Sequence, residues 1–354
     1  MTKIFPEADI YCLVNFLSDK DEKNFNGAKI QTSFLQRIPF SKRFYKLLLP
    51  LMPFAAENHD LTGYDVIISS SHAVAKGVIT TPSQLHICYC YTPVRYAWDL
   101  YHQYLRDSGF GPVRRVLAGY FLHKLRIWDL RTVNNVDYFV ACSKYIGQRI
   151  WKTYRRTSDV IYPNVDTVYF SDKDIPRENF YMTASRMVPY KKVELIVEAF
   201  TKMPDKKLIV IGDGPQFRYA KSIATPNITL LGFQPGSVLL DHLQRCKAFL
   251  FAAEEDFGIA PIEAQACGAP VIAYGRGGAR ETVVDGATGL HFDTQTAEAI
   301  IDAIARFEGS AGQFDRTRIR EQAEKFSALN FRHQMQAFID EKWSEHKKSQ
   351  SPGK

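Results

Sequence analysis

The second half of this chain alternates between short apolar runs and helix-length amphipathic stretches, and that alternation narrows the possible folds more than any other feature. Residues 180–185, 207–211, 228–231, 248–252 and 270–274 read as strands, and residues 192–202, 217–223, 238–246 and 260–267 read as the helices between them. Strands that are apolar throughout need cover on both faces. A helix between successive strands implies parallel crossovers, so the pattern predicts a doubly wound parallel sheet. Several predicted strands run into glycine or charge: Ser185-Arg186, Gly212-Asp213-Gly214-Pro215, Gly232-Phe233-Gln234 and Gly275-Arg276-Gly277-Gly278. In such sheets ligands lie beyond the carboxyl ends of the strands, so these positions are the first candidates for a site.

The first half is also α/β but less regular, with strands at 64–69, 86–90 and 137–142 and a long helix at 113–133. A polar stretch at 166–177 marks a boundary. The organisation expected is an N-terminal domain over 1–170, a C-terminal domain over 171–327, and at 328–354 a helix packing back across the cleft, with a frayed polar tail from 347. Apolar residues make up 45% of the chain and charged residues 23%, which is the balance of a soluble globular protein. The longest apolar candidate, 47–56, contains Pro50 and Pro53, so no membrane-spanning helix is expected. The first residues are too acidic and too broken for a signal peptide. The six cysteines include no C-x-x-C pair and read as reduced thiols of a cytoplasmic protein, without structural zinc.

The net charge of +7 is unevenly placed. Residues 1–175 hold 22 Lys and Arg against 16 Asp and Glu, and residues 176–354 hold 23 against 22. Between 29 and 56 stand Lys29, Arg37, Lys42, Arg43 and Lys46 with no acid, interleaved with Phe34, Phe40, Phe44 and Leu47. Two readings stay open there: peripheral contact with an anionic membrane, or an amphipathic helix with its apolar face in the core. No nucleic-acid motif accompanies the charge, and a nucleic-acid partner is not expected.

The most informative segment runs Glu254-Glu255-Asp256-Phe257-Gly258-Ile259-Ala260-Pro261-Ile262-Glu263-Ala264-Gln265-Ala266-Cys267-Gly268-Ala269-Pro270. Glu255 falls in a loop, and Glu263, eight residues on, falls inside a helix just over two turns later. Amides at a helix start suit an anion, and carboxylates suit sugar hydroxyls, so the arrangement fits a nucleoside diphosphate with a sugar at each end. The same string resembles the E-x7-E signature of the retaining glycosyltransferases of family 4. That resemblance implies a GT-B fold, in which two Rossmann-like doubly wound domains face a cleft.

The resemblance assigns roles by position. Arg186 and Lys191 match the pair that neutralises the diphosphate as the sugar departs, and Glu255 matches the acid that holds the donor sugar, so these three carry the catalytic assignment. Glu263 matches the ribose-binding acid, while Phe257, Gly258 and Ile259 present backbone amides. Gly214 matches a tight turn near the diphosphate, for which a merely structural turn remains an equal reading, and Gly232 and Phe233 match a base-binding strand end. The implied chemistry is transfer with retention, in which the leaving diphosphate helps take the acceptor proton, with no cofactor and no metal.

In the first half, Ser69 to Gly77 and Cys88-Tyr89-Cys90-Tyr91-Thr92-Pro93-Val94-Arg95-Tyr96-Ala97-Trp98-Asp99 resemble a branch of that family linked to mannosyl transfer in bacterial O-antigen, lipopolysaccharide and exopolysaccharide assembly. His72, Tyr91 and Arg95 are the acceptor-side or leaving-group candidates there. Many relatives have His where this chain has Tyr91. Relatives also place a strand, a glycine-rich loop and a helix ahead of the equivalent of Ile4, so the N-terminal domain is expected to lack its first βα unit. The resulting expectation is a cytoplasmic hexosyltransferase, peripheral at the inner face of the membrane. It would move mannose from GDP-mannose to a lipid-linked or growing surface glycan. Two alternatives stand beside it: a catalytically impaired nucleotide-sugar-binding partner in a polysaccharide assembly complex, and a hydrolase or epimerase of the same fold.

Overall fold

A computed structural model describes residues 1–22, 25 and 27–350. The chain forms two compact units, one of Met1–Ile161 joined by the chain from Arg332 onward, the other Tyr162–Phe331.

The second unit is built on a six-stranded parallel sheet: β7 (Phe180–Ala184), β8 (Lys207–Ile211), β9 (Ile228–Gly232), β10 (Ala248–Phe251), β11 (Val271–Tyr274) and β12 (Gly289–Phe292). The spatial order is β12-β11-β10-β7-β8-β9. The chain therefore steps outward from β7 to β9, crosses back, and steps outward again from β10 to β12. The point where direction reverses lies between β7 and β10, where a doubly wound sheet opens a crevice at its carboxyl edge.

Successive side chains of each strand go to opposite layers. Tyr181, Leu208, Val210, Leu250 and Ile272 join the helices Val193–Thr201 and Ala297–Gly309, and on the other face Met182, Phe249, Phe251, Val271 and Ala273 join the helices Gly236–Arg245, Ile259–Ala266 and Arg316–Glu324. This two-sided burial explains why the strands are apolar at nearly every position. Side-chain caps fix helix starts where the sequence supplies them, with Thr296 accepting from the amide of Ala299 and Asp315 from that of Arg318. Strand β12 and the helix after it complete the sheet beyond the elements expected from the sequence.

The first unit carries a four-stranded parallel sheet, β3 (Val66–Ser71), β4 (Leu85–Cys90), β5 (Tyr138–Ala141) and β6 (Asp159–Val160), in sequential order. Strands β1 (Ile10–Cys12) and β2 (Ile30–Thr32) form a separate parallel pair. Among the pillars of this unit is a buried ion pair. Lys76 Nζ stands 2.8 Å from Asp129 Oδ1 and donates to the Asp129 carbonyl (2.7 Å) and Thr132 Oγ1 (2.8 Å). The same carboxylate accepts from Trp98 Nε1 (2.8 Å) and the Tyr154 hydroxyl (2.9 Å). A buried charge pair is tolerable only when its remaining donors and acceptors are matched, as here.

Two expectations are revised. Residues 34–57 do not form one amphipathic helix. They break into the short helical pieces Phe34–Arg37, Ser41–Phe44, Tyr45–Leu51 and Met52–Glu57, because Pro39, Pro50 and Pro53 remove the donors a continuous helix requires. The final helix, Ala328–Gln350, does not fray at 347. Tyr138 donates to Glu345 (3.1 Å), the imidazole Nε2 of His346 lies 3.1 Å from the Ser83 carbonyl, and Gln350 donates to the Pro82 carbonyl (2.7 Å). The tail beyond 350 lies outside the described residues. Among the described residues no helix is long and apolar enough to cross a membrane.

Candidate functional site

Every second-unit residue singled out from the sequence, Glu263 and Ile259 excepted, lies on a loop at or just beyond a strand's carboxyl end. The excepted pair stands on the helix that follows β10. Beyond β7 the chain passes the exposed Arg186 and makes a short helical turn, Pro189–Lys191. Beyond β10 it passes Glu254, Glu255 and Asp256. The reversal of strand order places these two loops side by side, and Lys191 Nζ forms an ion pair with Glu255 Oε1 across a separation of 64 residues. Both side chains are mostly buried, at 18% and 17% exposure. The ammonium also stands 5.5 Å from the Tyr190 ring centroid.

Glycine lets the loops come this close. A Cβ at Gly214, whose φ is +153°, would sit 2.5 Å from the Met187 carbonyl oxygen. The same β8 loop accepts from the Met187 amide at the Asp213 carbonyl (2.9 Å). Gly278, beyond β11, donates to the Glu255 carbonyl (2.8 Å), and a Cβ there would lie 2.3 Å from the Cα and O of Phe257. The Gly275–Gly278 run fails the spacing of a dinucleotide fingerprint, yet it fixes the backbone of the acidic loop. The sequence offered no pattern that would have shown this.

The acidic loop enters the helix Ile259–Ala266 through Gly258, which adopts a left-handed conformation (φ 86°) and has no side chain to cap the amides that follow. Pro261 contributes no N–H, so the helix start offers the amides of Gly258, Ile259 and Ala260 to an anion. Phe257 is a core residue: its ring stacks at 5.8 Å on Tyr162 and meets Phe326 edge-on at 5.6 Å. Only its backbone is available to a ligand. Glu263 stands on the second turn of the helix, half-buried, and loss of water around its carboxyl pushes its pKa up to about 7. At the end of β9, Gly232 has φ 69° and accepts from the Gly212 amide (2.8 Å), while Phe233, just beyond, is 81% exposed.

In the first unit the candidates again follow strand ends. His72 is exposed just after β3. Tyr91, after β4, receives a hydrogen bond from Ser70 Oγ (3.4 Å) and meets the Tyr89 ring edge-on at 5.2 Å. Arg95 Nε is 4.0 Å from Asp99, four residues on. The structure adds Arg149, from the helix Lys144–Tyr154, which ion-pairs with Asp99, lies 3.4 Å from Thr92 Oγ1 and covers the Tyr145 ring at 5.2 Å. Nothing in the spacing of residues 95–99 points to position 149, since only β5 and its following helix bring it there.

Two Rossmann-like units of this kind define the GT-B fold of glycosyltransferases. Residues 167–326 match the family described as glycosyl transferases group 1. Over 230 residues the chain is 27% identical to the GDP-mannose-dependent alpha-(1-6)-phosphatidylinositol monomannoside mannosyltransferase of Mycolicibacterium smegmatis, covering 54% of this chain and 60% of that one. Among solved structures it is similar to a sucrose-phosphate synthase from Thermosynechococcus elongatus (TM-score 0.68, 18% identity, 90% of this chain and 84% of that one). It is also similar to HepE of Anabaena in complex with UDP-glucose (TM-score 0.61, 15% identity, 93% and 91%). The matched segments span roughly half the length of the curated relatives.

Proposed function

We propose that this chain is a retaining hexosyltransferase that moves a hexose, mannose first, from a nucleoside diphosphate to a lipid-linked or growing surface glycan. The observation that carries the reading is the Lys191–Glu255 ion pair at the reversal point of the second sheet. A cation, an acid and an uncapped helix start meet there, beside the exposed Arg186. In this reading Lys191 and Arg186 take the charge that develops on the departing diphosphate, assisted by the amides of Gly258 and Ile259. Glu255 then exchanges part of its bond to Lys191 for the hydroxyls of the donor sugar, and Glu263 receives the ribose. Gly232 and Phe233 border the base, Gly214 borders the diphosphate, and a leaving phosphate oxygen accepts the acceptor hydroxyl's proton on the face of the sugar it vacates.

The GDP-mannose dependence of the mycobacterial relative supports the choice of donor, and the UDP-glucose held by the HepE fold supports a nucleotide sugar more broadly. His72, Tyr91 and Arg95 are assigned to the acceptor side or the leaving group. Peripheral membrane contact through 29–56 at the inner face of the membrane is part of the proposal, supported by the exposed Phe40 and Leu47 among exposed Lys42 and Arg43. The deciding experiment incubates the protein with GDP-mannose and a panel of other nucleotide sugars. Absence of thermal shift, hydrolysis and transfer with every donor rejects the proposal.

A second reading, a donor-binding protein without turnover, is favoured by Tyr91, whose phenol cannot serve as a cation near neutral pH. Donor binding with no product, unchanged in the Tyr91→His variant, selects it.

A further inference from the structure

Phe257 anchors the acidic loop, and one side chain holds that anchor from two directions. Tyr162 is the first residue of the second unit. Its ring stacks on Phe257 at 5.8 Å between centroids and meets Phe326 edge-on at 5.3 Å. Its hydroxyl donates to Glu281 Oε2 at 3.0 Å. Glu281 belongs to the short helix Ala279–Thr282, and its amide donates to the Gly278 carbonyl (2.9 Å). Gly278 in turn lies so close to the Phe257 backbone that a Cβ there would meet it at 2.3 Å. The contacts close on themselves, running from the Tyr162 ring through Phe257, Gly278 and Glu281 back to the Tyr162 hydroxyl.

Packing alone does not call for the hydroxyl. Phe257 and Phe326 are buried and would be covered equally well by a third phenylalanine, whereas a half-buried phenol needs a hydrogen-bond partner to offset the water it loses. A helix of four residues has no stability of its own, so its place is set by side chains that reach it from outside. Gln265 and Gln322 do so at one end, donating to the Thr282 carbonyl (3.1 and 3.3 Å). Tyr162 does so at Glu281, and the same side chain covers Phe257. Gly278 gives its amide to the Glu255 carbonyl (2.8 Å), so a shift of this helix is also a shift of Glu255. A misplacement of about 1 Å in a binding group is enough to cost much of its effect.

We propose that Tyr162 is a positioning residue for the acidic loop. Its ring fixes Phe257, its bond to Glu281 fixes Gly278, and together they set where the Glu255 carboxylate and the amides of Gly258 and Ile259 point. Its consequence for binding rests on the assignment of Glu255 to the donor sugar. The residues assigned to the base and ribose, Gly232, Phe233 and Glu263, lie outside the closed path of contacts. The Tyr162 hydroxyl therefore governs the sugar and diphosphate end of a donor and not its nucleoside end.

The test begins without ligand. Tyr162→Phe keeps the ring packing and loses one hydrogen bond to a carboxylate, so hydrogen–deuterium exchange at 256–259 and at Gly278 should quicken about tenfold. Exchange in the strands of the second sheet should stay that of the wild type. Glu281→Ala should give the same increase, and Tyr162→Phe should add nothing to it in the double variant. Glu281→Gln, which retains an acceptor, should stay close to the wild type. Calorimetric titration with GDP-mannose and with GMP then reads the consequence: Tyr162→Phe should weaken GDP-mannose about tenfold and leave GMP unchanged. Unchanged exchange in Tyr162→Phe overturns the proposal, as does a further increase when the two variants are combined. So does unchanged affinity for GDP-mannose despite faster exchange. Equal weakening of both nucleotides overturns it too, since Tyr162 would then support the unit as a whole rather than one loop. A wild type that binds neither nucleotide defeats the donor reading, and exchange alone then decides whether Tyr162 sets the loop.

Discussion

Replacing Glu263 with Gln should stabilise the protein at alkaline pH and leave it nearly unchanged in acid. The carboxyl ionises at about 7 in the fold against 4.5 for an ordinary glutamate, because burial strips water from its charged form. A folded-state pKa above the unfolded value favours the fold while the proton stays on. The advantage is complete below 4.5 and is lost as pH rises through 7. At about 1.4 kcal/mol per pH unit, the ionised carboxylate costs the fold about 3 kcal/mol at pH 8, but under about 1 kcal/mol at pH 5. Glutamine keeps the shape without the charge. Whatever fixed cost its amide carries, the pH-dependent gain should be about 2–3 kcal/mol, or roughly 4–12 °C in melting temperature for a unit of this size. Urea and thermal unfolding of both proteins at pH 5 and pH 8 measure it. If Glu263 receives ribose hydroxyls, donor affinity of the wild type should also rise through pH 7, while that of the variant stays low and flat. An equal stability difference at the two pH values would refute the reasoning, since the buried charge would then not be its source.

Lys191→Ala should lower turnover by about a hundred- to a thousandfold, as expected when a cation is removed from the leaving group, and should also lower the unfolding midpoint because Glu255 stays mostly buried without its cation; initial rates at saturating donor and urea unfolding check this. Gly278→Ala forces a methyl group against the Phe257 backbone and should cost about 1–3 kcal/mol, seen as a lower urea midpoint at unchanged slope. Lys76→Met leaves Asp129 buried without its cation and should cost about 3–5 kcal/mol by urea unfolding; a loss under about 1 kcal/mol would mean the pair gives the first unit little stability. Tyr91→His should add an ionisation near 6.5 to the pH–rate profile if the side chain meets the leaving group, and an unchanged profile would place Tyr91 outside the reaction.

Local pattern and chain topology contributed different things. Apolar runs such as Phe249 to Phe251 and Val271 to Ala273 are readable as strands because both faces of the sheet are covered, and the glycines at strand ends are readable because turns demand them. The eight-residue spacing of Glu255 and Glu263 is equally local, a property of one loop and one helix. What no local pattern carries is which loops become neighbours. The Lys191–Glu255 pair depends on β10 inserting beside β7 rather than beyond β9, a choice made by packing helices on both faces of the sheet. The contact of Gly278 with Phe257 follows from the same strand order. The raised pKa of Glu263 depends on how much water the folded helix excludes, and the pairing of Arg149 with Asp99 spans two crossovers. The path through Tyr162, Phe257, Gly278 and Glu281 shows the same division. Tyr162 looks like an ordinary core aromatic in the sequence until the fold brings Glu281, 119 residues on, within reach of its hydroxyl.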